Sequence, residues 1–283
     1  MHLTSGDAEQ VVLHEFGGDG PPLLLGHGNG LNAGMWLPAL PKLKTRFRCF
    51  GVDLRGHGAC QVVDTNYSVE RERLGEDLMA CVDSIGEPVA YAGHSLGGAA
   101  GIYGSLARPD LFIGMWLFEP VVIADWVDRS SPPTALVEMT LNRRSRFDST
   151  EDAIERLMAK PPFGLCDPEA VRGYVEFGTR RTLDGGAGVE LTCKPRDEAR
   201  VFGTGQPMDF GRLAVIKTPT AIVTGAEVAD LHSIPAQMAA PLAQALPNGC
   251  LERHPALGHF GPMEAPIAMA ESIISHVVSS MAG

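Results

Sequence analysis

The sequence predicts an α/β fold: a mostly parallel, doubly wound sheet with a helical cap insertion. Short apolar runs that are typical of buried strands alternate with segments of helical periodicity, as in successive βαβ units. The alternation stops near Val121 and resumes about 90 residues later, which is too long a stretch for a simple loop. We therefore expect the core in residues 1–120 and 213–283, and the cap in residues 121–212.

The elements before the insertion follow from their periodicity, with strands at apolar runs and helices where apolar residues recur every three to four positions. The predicted strands are 11–16, 22–26, 48–53, 88–92 and 112–118. The predicted helices are 33–47, 68–85 with Ser68 as its N-cap, and a helix of small residues from 98 onward.

The second half of the chain has a different composition. Within the insertion, helical periodicity is found at 134–141, 151–158 and 169–177. The strand–helix alternation then returns with a strand at 220–225, a helix at 234–246, a strand at 250–254 and a helix at 263–281.

Composition excludes several classes of function. The chain has 283 residues, a hydrophobic content of 45% and a net charge of −11, which disfavours nucleic acid as a partner. The N-terminal residues lack the pattern of a signal peptide, and no apolar stretch is long enough to span a membrane. The six cysteines are scattered and are expected to be reduced thiols. We expect a soluble cytoplasmic protein, with a homodimer left open.

The pentapeptide Gly-His-Ser-Leu-Gly at 93–97 is the strongest functional signal. An apolar run precedes it and small residues follow it, which places Ser95 on a sharp strand-to-helix turn. Such a turn holds the serine in a strained backbone with its hydroxyl exposed. Glycines at both ends avoid collisions with the neighbouring strand and helix. The pattern predicts that Ser95 is a nucleophile.

Three more motifs accompany this one along the chain: His-Gly-Asn-Gly at 27–30, Asp-Leu-Arg-Gly-His-Gly at 53–58 and Gly-His-Phe at 258–260. Together the four motifs resemble the α/β-hydrolase family over nearly the whole chain apart from the insertion. The resemblance implies a serine hydrolase that needs no cofactor, with 27–30 as the oxyanion loop and 258–260 as the histidine loop.

His259 is the catalytic base that this resemblance implies. A serine hydroxyl is a weak nucleophile near neutral pH, and an imidazole within hydrogen-bond reach can accept its proton. His254 lies close to the same loop in sequence and is a weaker alternative. His27 and His57 belong to turn motifs, where the resemblance gives them structural roles.

The acid of the triad departs from the family's common pattern, in which an aspartate lies three residues after the glycine that closes the penultimate strand. Here the third residue after Gly225 is Val228, which cannot orient an imidazole. Glu119, after the strand that follows the nucleophile helix, is the preferred acid. One type of haloalkane dehalogenase and the lactonases that open zearalenone look similar at this position. Asp230, on a longer loop, is the alternative, and Glu227 is a third candidate.

The remaining site residues are predicted from their positions beside these motifs. The backbone amides of Asn29 and Leu96 are expected to form the oxyanion hole. Gly28, His94 and Trp126 are expected to contact the substrate, with Trp126 at the pocket entrance.

The predicted activity is cleavage of an ester or lactone bond in a small molecule, through an acyl-enzyme intermediate. Three alternatives remain open. The first is hydrolysis of a carbon–carbon bond, and the second is a cofactor-free perhydrolase or haloperoxidase-like activity. The third is a ligand receptor on the same fold that does not turn its ligand over.

The other charged residues predict no further site. Arg143, Arg144 and Arg146 form a short basic run that is typical of a solvated helix end, with an anionic substrate as the less favoured interpretation. Histidines and acids do not group at metal-ligand spacing, so no metal is expected.

Overall fold

The computed structural model describes residues 1–60, 67–127, 134–182, 188–226 and 233–282. Its strands are β1 His2–Thr4, β2 Gln10–Gly17, β3 Pro22–Gly26, β4 Arg48–Asp53, β5 Val89–His94, β6 Phe112–Phe118, β7 Arg146–Phe147, β8 Thr179–Arg181, β9 Val189–Leu191, β10 Thr220–Thr224 and β11 Gly249–Arg253. Its α-helices are α1 Leu40–Leu43, α2 Arg71–Ile85, α3 Leu96–Ala107, α4 Thr134–Leu141, α5 Thr150–Met158, α6 Pro168–Gly178, α7 Pro195–Thr204, α8 Ser233–Ala245, α9 Gly261–Glu264 and α10 Pro266–Met281.

The central sheet has 8 strands in the order β1-β2-β4-β3-β5-β6-β10-β11. The six strands from β4 to β11 in this order pair in parallel. At one edge of the sheet, β2 pairs antiparallel with β4, and β1 pairs antiparallel with β2. The mostly parallel sheet predicted from the sequence is therefore confirmed. Its parallel strands end at one edge of the sheet, which is where ligands bind in open α/β sheets.

Both faces of the sheet are covered, as a parallel sheet requires. In β3, Leu23, Leu24 and Leu25 are all fully buried. Because side chains alternate along a strand, Leu24 packs into the cluster that includes α2, α3 and α8, while its neighbours pack into the cluster beneath α10. This explains why the central strands are continuous apolar runs in the sequence.

Most predicted elements are present, but three helix predictions are wrong in detail. Residues 33–47 form a 3₁₀-helix, Ala33–Ala39, and then the short α1, because prolines at 38 and 41 lack the N–H that a continuous helix needs. The N-cap of α2 is Glu70 rather than Ser68, whose hydroxyl accepts a hydrogen bond from the Glu70 N–H at 3.3 Å. The last helix is divided before Pro266.

The segment between β6 and β10 holds four α-helices, α4 to α7, among the residues described there. It also holds a 3-stranded antiparallel sheet, β7-β9-β8, which we did not expect from the sequence. The two ends of the segment lie side by side, because Met208 exchanges backbone hydrogen bonds with Ile123 (2.8 Å) and Asp125 (3.0 Å). The chain thus leaves the sheet after β6 and returns at almost the same place.

Candidate active site

Ser95 lies on the turn between β5 and α3 with φ 52° and ψ −108°, a backbone conformation that is strained for any residue with a side chain. Its N–H donates to the carbonyl of Phe118 at 2.9 Å, which anchors the turn to β6. A Cβ on Gly93 would lie 2.7 Å from the Tyr91 ring, and one on Gly97 would lie 2.6 Å from the backbone of Gly26. Only glycine fits at these two positions.

His259 lies in the loop between β11 and α9, and its ring spans two polar neighbours. Nε2 is 3.1 Å from the Ser95 hydroxyl oxygen, and Nδ1 is 2.5 Å from Oε2 of Glu119. A proton on Nδ1 satisfies the carboxylate and leaves the lone pair of Nε2 facing the serine hydroxyl. The arrangement allows the imidazole to accept the serine proton while Glu119 stabilises the resulting charge.

Glu119 directly follows β6, at φ 43°, and the residue is 1% exposed. Its second oxygen, Oε1, accepts hydrogen bonds from the Thr224 hydroxyl (3.0 Å) and the Gly225 N–H (2.9 Å). Both donors lie at the end of β10, the strand after which the resemblance predicted the acid. Here that strand instead binds a carboxylate supplied by β6. The alternative acids, Asp230 and Glu227, lie outside the described residues.

Two backbone amides lie near the serine with no protein acceptor in the described part of the chain: those of Asn29 and Leu96. Leu96 is the first residue of α3, so its N–H points out of a helix N-terminus, where negative charge is favoured. The Asn29 side chain is engaged elsewhere, since its Nδ2 donates to the Glu198 carbonyl at 2.9 Å. The Asn29 side chain thus ties the 27–30 loop to α7.

Two buried histidines fix the position of this loop, His27 within it and His57 from the 53–58 motif. His27 accepts a hydrogen bond from the Leu54 N–H at 3.1 Å, and His57 accepts one from the Gly30 N–H at 3.0 Å. Burial lowers the pKa of His57 to about 3 and also lowers that of His27. Both rings are therefore neutral near pH 7, which suits a structural role.

A cavity of about 870 Å³ opens beside Ser95 and His259. Gly28, Asn29 and His94 belong to its lining, and His94 also donates from Nε2 to the His259 carbonyl at 2.8 Å. Its apolar wall comes mainly from the insertion and the 258–260 loop: Leu31, Leu136, Met139, Phe147, Leu157, Ala159, Pro161, Pro162, Phe163, Phe202 and Phe260. Chemically, the cavity suits a molecule with a sizeable apolar part.

Trp126 does not line this cavity, so its predicted contact with substrate at the entrance is not found. The ring packs edge-on against Phe210 at a centroid distance of 5.0 Å and is 61% exposed. The tryptophan lies where the chain leaves the sheet, whereas the lining of the cavity begins further along the insertion, at Leu136. The position of Trp126 shortly after β6 in the sequence therefore did not predict which residues line the cavity.

Charged residues from the insertion also line the cavity, and most were not singled out from the sequence. They are Arg143, Arg144, Arg156, Lys160 and Glu198. The interpretation of 143–146 as a solvated helix end is wrong for Arg143, which is largely buried and paired with Glu198. Arg144 is exposed but also lines the cavity, and Arg146 is 63% exposed and lies outside the lining. The signal in the sequence was a basic run inside a strongly acidic chain.

A family model described as the alpha/beta hydrolase family matches residues 23–272. The chain belongs to the alpha/beta hydrolase family. The family predicted from the motifs is therefore confirmed, and the protein is a hydrolase.

Relatives of this alpha/beta hydrolase include named esterases. It is 28% identical over 256 residues to a strigolactone esterase from Arabidopsis thaliana, which covers 88% of this chain and 89% of the relative. It is 30% identical over 151 residues to protein phosphatase methylesterase 1 from Mus musculus, which covers 50% of this chain and only 38% of that protein. A peroxisomal alpha-beta-hydrolase from Saccharomyces cerevisiae superposes with a TM-score of 0.76 at 18% identity, over 98% of this chain and 84% of the other, which shows the shared fold.

The described residues of the hydrolase contain neither a metal-binding cluster nor a membrane-spanning helix. Among them, no group of three or more His, Cys, Asp or Glu side chains is arranged to hold a metal ion. None of the helices within these residues is both long enough and apolar enough to cross a bilayer.

Proposed function

We propose that this hydrolase cleaves a carboxylic ester or lactone through an acyl-enzyme formed on Ser95. The observation that carries the proposal is the continuous hydrogen-bonded chain from the Ser95 hydroxyl through His259 to Glu119, with distances of 3.1 and 2.5 Å. This chain lies at the wall of a cavity, so a bound ester can reach the hydroxyl.

In the proposed reaction, the Ser95 oxygen attacks the acyl carbon while Nε2 of His259 takes the hydroxyl proton. The negative charge on the former carbonyl oxygen is stabilised by the N–H groups of Asn29 and Leu96. His259 then gives its proton to the leaving alkoxide, and the acyl–oxygen bond breaks. A water molecule, deprotonated by the same imidazole, attacks the acyl-enzyme and releases the acid. Glu119 stays ionised throughout and stabilises the imidazolium.

Residues 121–212 act as the cap in this proposal. They supply most of the cavity wall opposite Ser95, including Leu136, Phe147 and Phe202. The size and shape of the acceptable ester would therefore be set by the insertion, while the reaction itself is performed by residues of the sheet. The names of the two esterase relatives support ester cleavage over the other reactions of this fold.

The proposal is tested by incubating the protein with a fluorophosphonate and measuring the mass of the adduct. We expect one adduct per chain, lost in Ser95→Ala and retained in Ser275→Ala, which removes an exposed hydroxyl on α10. The parent and Ser275→Ala should also hydrolyse 4-nitrophenyl hexanoate, and Ser95→Ala should not. Failure of the parent to form the adduct and to turn over the ester would overturn the proposal.

A further inference from the structure

The cavity wall is basic although the chain as a whole is acidic. The lining contains four cations, from Arg143, Arg144, Arg156 and Lys160, and a single carboxylate, from Glu198. The net charge of the chain is −11, so this concentration of cations runs against its overall composition. A concave, partly apolar surface of one sign focuses the field into the cavity.

Two of the four cations are neutralised within the protein. Arg143 forms an ion pair with Glu198 at 2.5 Å and donates to the Cys193 carbonyl at 3.0 Å. Its side chain is largely buried, which suits a role in holding α7 against the rest of the insertion. Arg156 forms an ion pair with Asp152 at 2.6 Å, one turn earlier on α5. Neither cation requires a ligand to balance its charge.

Arg144 and Lys160 differ from these two. Among the described residues, neither side chain forms an ion pair or a hydrogen bond with another residue. They come from different elements, since Arg144 follows α4 and Lys160 follows α5, yet both contribute to one cavity. Asp152 lies within electrostatic reach of Arg144 as well as of Arg156, so these two arginines share one nearby carboxylate. An anion in the cavity would balance this excess positive charge.

We propose that the substrate of this site carries a carboxylate on the part of the molecule remote from the scissile bond, and that Arg144 and Lys160 bind it. The substrate class is then a half-ester of a dicarboxylic acid or a carboxylated lactone. Its apolar chain packs on the cavity wall, its ester reaches Ser95, and its free carboxylate pairs with Arg144 and Lys160, which are both exposed and form no ion pair among the described residues. This inference rests on the proposed function, because it assigns a substrate to the same cavity.

The test compares two esters that differ in one group. In mono-4-nitrophenyl adipate, a carboxylate replaces the terminal methyl of 4-nitrophenyl hexanoate, and the leaving group is unchanged. In the double variant Arg144→Gln/Lys160→Gln, we expect kcat/KM for the adipate ester to fall at least ~10-fold, the loss of one good charge-assisted contact. For the hexanoate ester it should stay within about twofold, because that ester presents no charge to these residues.

The matched control is Arg146→Gln/Arg172→Gln, which makes the same change in net charge on exposed arginines outside this cavity. It should leave both esters unaffected. For the parent, added salt should lower kcat/KM for the adipate ester and not for the hexanoate ester. If the hexanoate ester is hydrolysed but the double variant changes kcat/KM equally for the two esters, the substrate assignment is overturned while the hydrolase function stands.

A binding measurement keeps the inference testable if neither ester is hydrolysed, a result that would count against the proposed function alone. Calorimetric titration of the parent with adipate should then show binding that weakens at least ~10-fold in Arg144→Gln/Lys160→Gln and persists in the control variant. Absence of binding to the parent, or equal binding to all three proteins, would overturn the assignment of Arg144 and Lys160.

Discussion

Oε2 of Glu119 and Nδ1 of His259 lie 2.5 Å apart, although 140 residues separate them in the chain. Their approach depends on the order of the strands. Glu119 directly follows β6, which pairs with β10, and β11 leads into the histidine loop on the other side of β10. The other oxygen of Glu119 is held by the end of β10 itself. The carboxylate is thus fixed at both oxygens before any substrate arrives.

Glu119→Gln is expected to lower kcat for 4-nitrophenyl hexanoate by roughly 1,000-fold or more, with a much smaller change in KM. The amide leaves the imidazolium without a compensating charge and can present its NH₂ to Nδ1, which favours the wrong tautomer. Steady-state kinetics at pH 7.5 measures the effect. Asp230→Asn is the comparison, since it alters the alternative acid. A large decrease in kcat for Asp230→Asn, with little decrease for Glu119→Gln, would contradict our assignment.

Asn29→Ala is expected to lower kcat by about tenfold at most, which is the scale of one lost hydrogen bond. The substitution keeps the backbone N–H and removes the side-chain bond to the Glu198 carbonyl at 2.9 Å and the 3.3 Å contact of the Asn29 Oδ1 with Nε2 of His57. Loss of a true oxyanion donor costs about 100- to 1,000-fold. A fall of that size would therefore mean that the side chain itself contacts the oxyanion. Asn142→Ala, which also changes an asparagine of the cavity lining, should leave kcat unchanged.

The free energy of unfolding is expected to decrease as the pH falls from about 6.5 toward 4, because of the buried His57. Burial lowers its pKa to about 3 from 6.5. Between these values the unfolded chain binds a proton that the folded protein does not bind. The contribution of His57 to the free energy of unfolding is therefore fully present above pH 6.5. Below that pH it decreases by about 1.4 kcal/mol per pH unit, the value for one such proton. Urea denaturation at pH 7.5, 5.5 and 4.5 measures the slope.

In the same experiment, His57→Gln should be less stable than the parent at pH 7.5, since the Gly30 N–H loses its acceptor, and its stability should depend less on pH. His2→Gln, at an exposed position, should reproduce the slope of the parent. An unchanged slope in His57→Gln would show that other groups cause the loss of stability in acid.

Arg55→Met is expected to lower the free energy of unfolding by about 3–5 kcal/mol. Arg55 and Asp77 are both almost fully buried, and their side chains are 2.7 Å apart. Removing the arginine leaves the Asp77 carboxylate buried without its cationic partner. Arg108→Met removes an arginine from an exposed pair with Asp83 and should cost less than about 1 kcal/mol. A similar decrease in the free energy of unfolding in both variants, measured by urea denaturation, would contradict this view of the buried pair.

Local sequence determined the strands and the nucleophile turn. Apolar runs such as 22–26, 48–53 and 112–118 coincide with β3, β4 and β6, because burial on both faces of a central strand favours apolar residues at successive positions. The strained backbone of Ser95 was also predictable, since glycines at 93 and 97 are needed only where neighbouring backbones approach closely. Each of these features depends on residues near one another in the chain.

The tertiary structure decided what depends on distant residues. The sequence left Glu119 and Asp230 as competing acids, and only the packing of β6 beside β10 brings the Glu119 carboxylate to His259. The strands of the insertion are two or three residues long and carry too little periodicity to be recognised. The cations that line the cavity come from different elements of the insertion, and no local sequence pattern predicts that they line the same cavity. Periodicity reports the neighbours of a residue along the chain, whereas the site is made by segments that meet only when the sheet has formed.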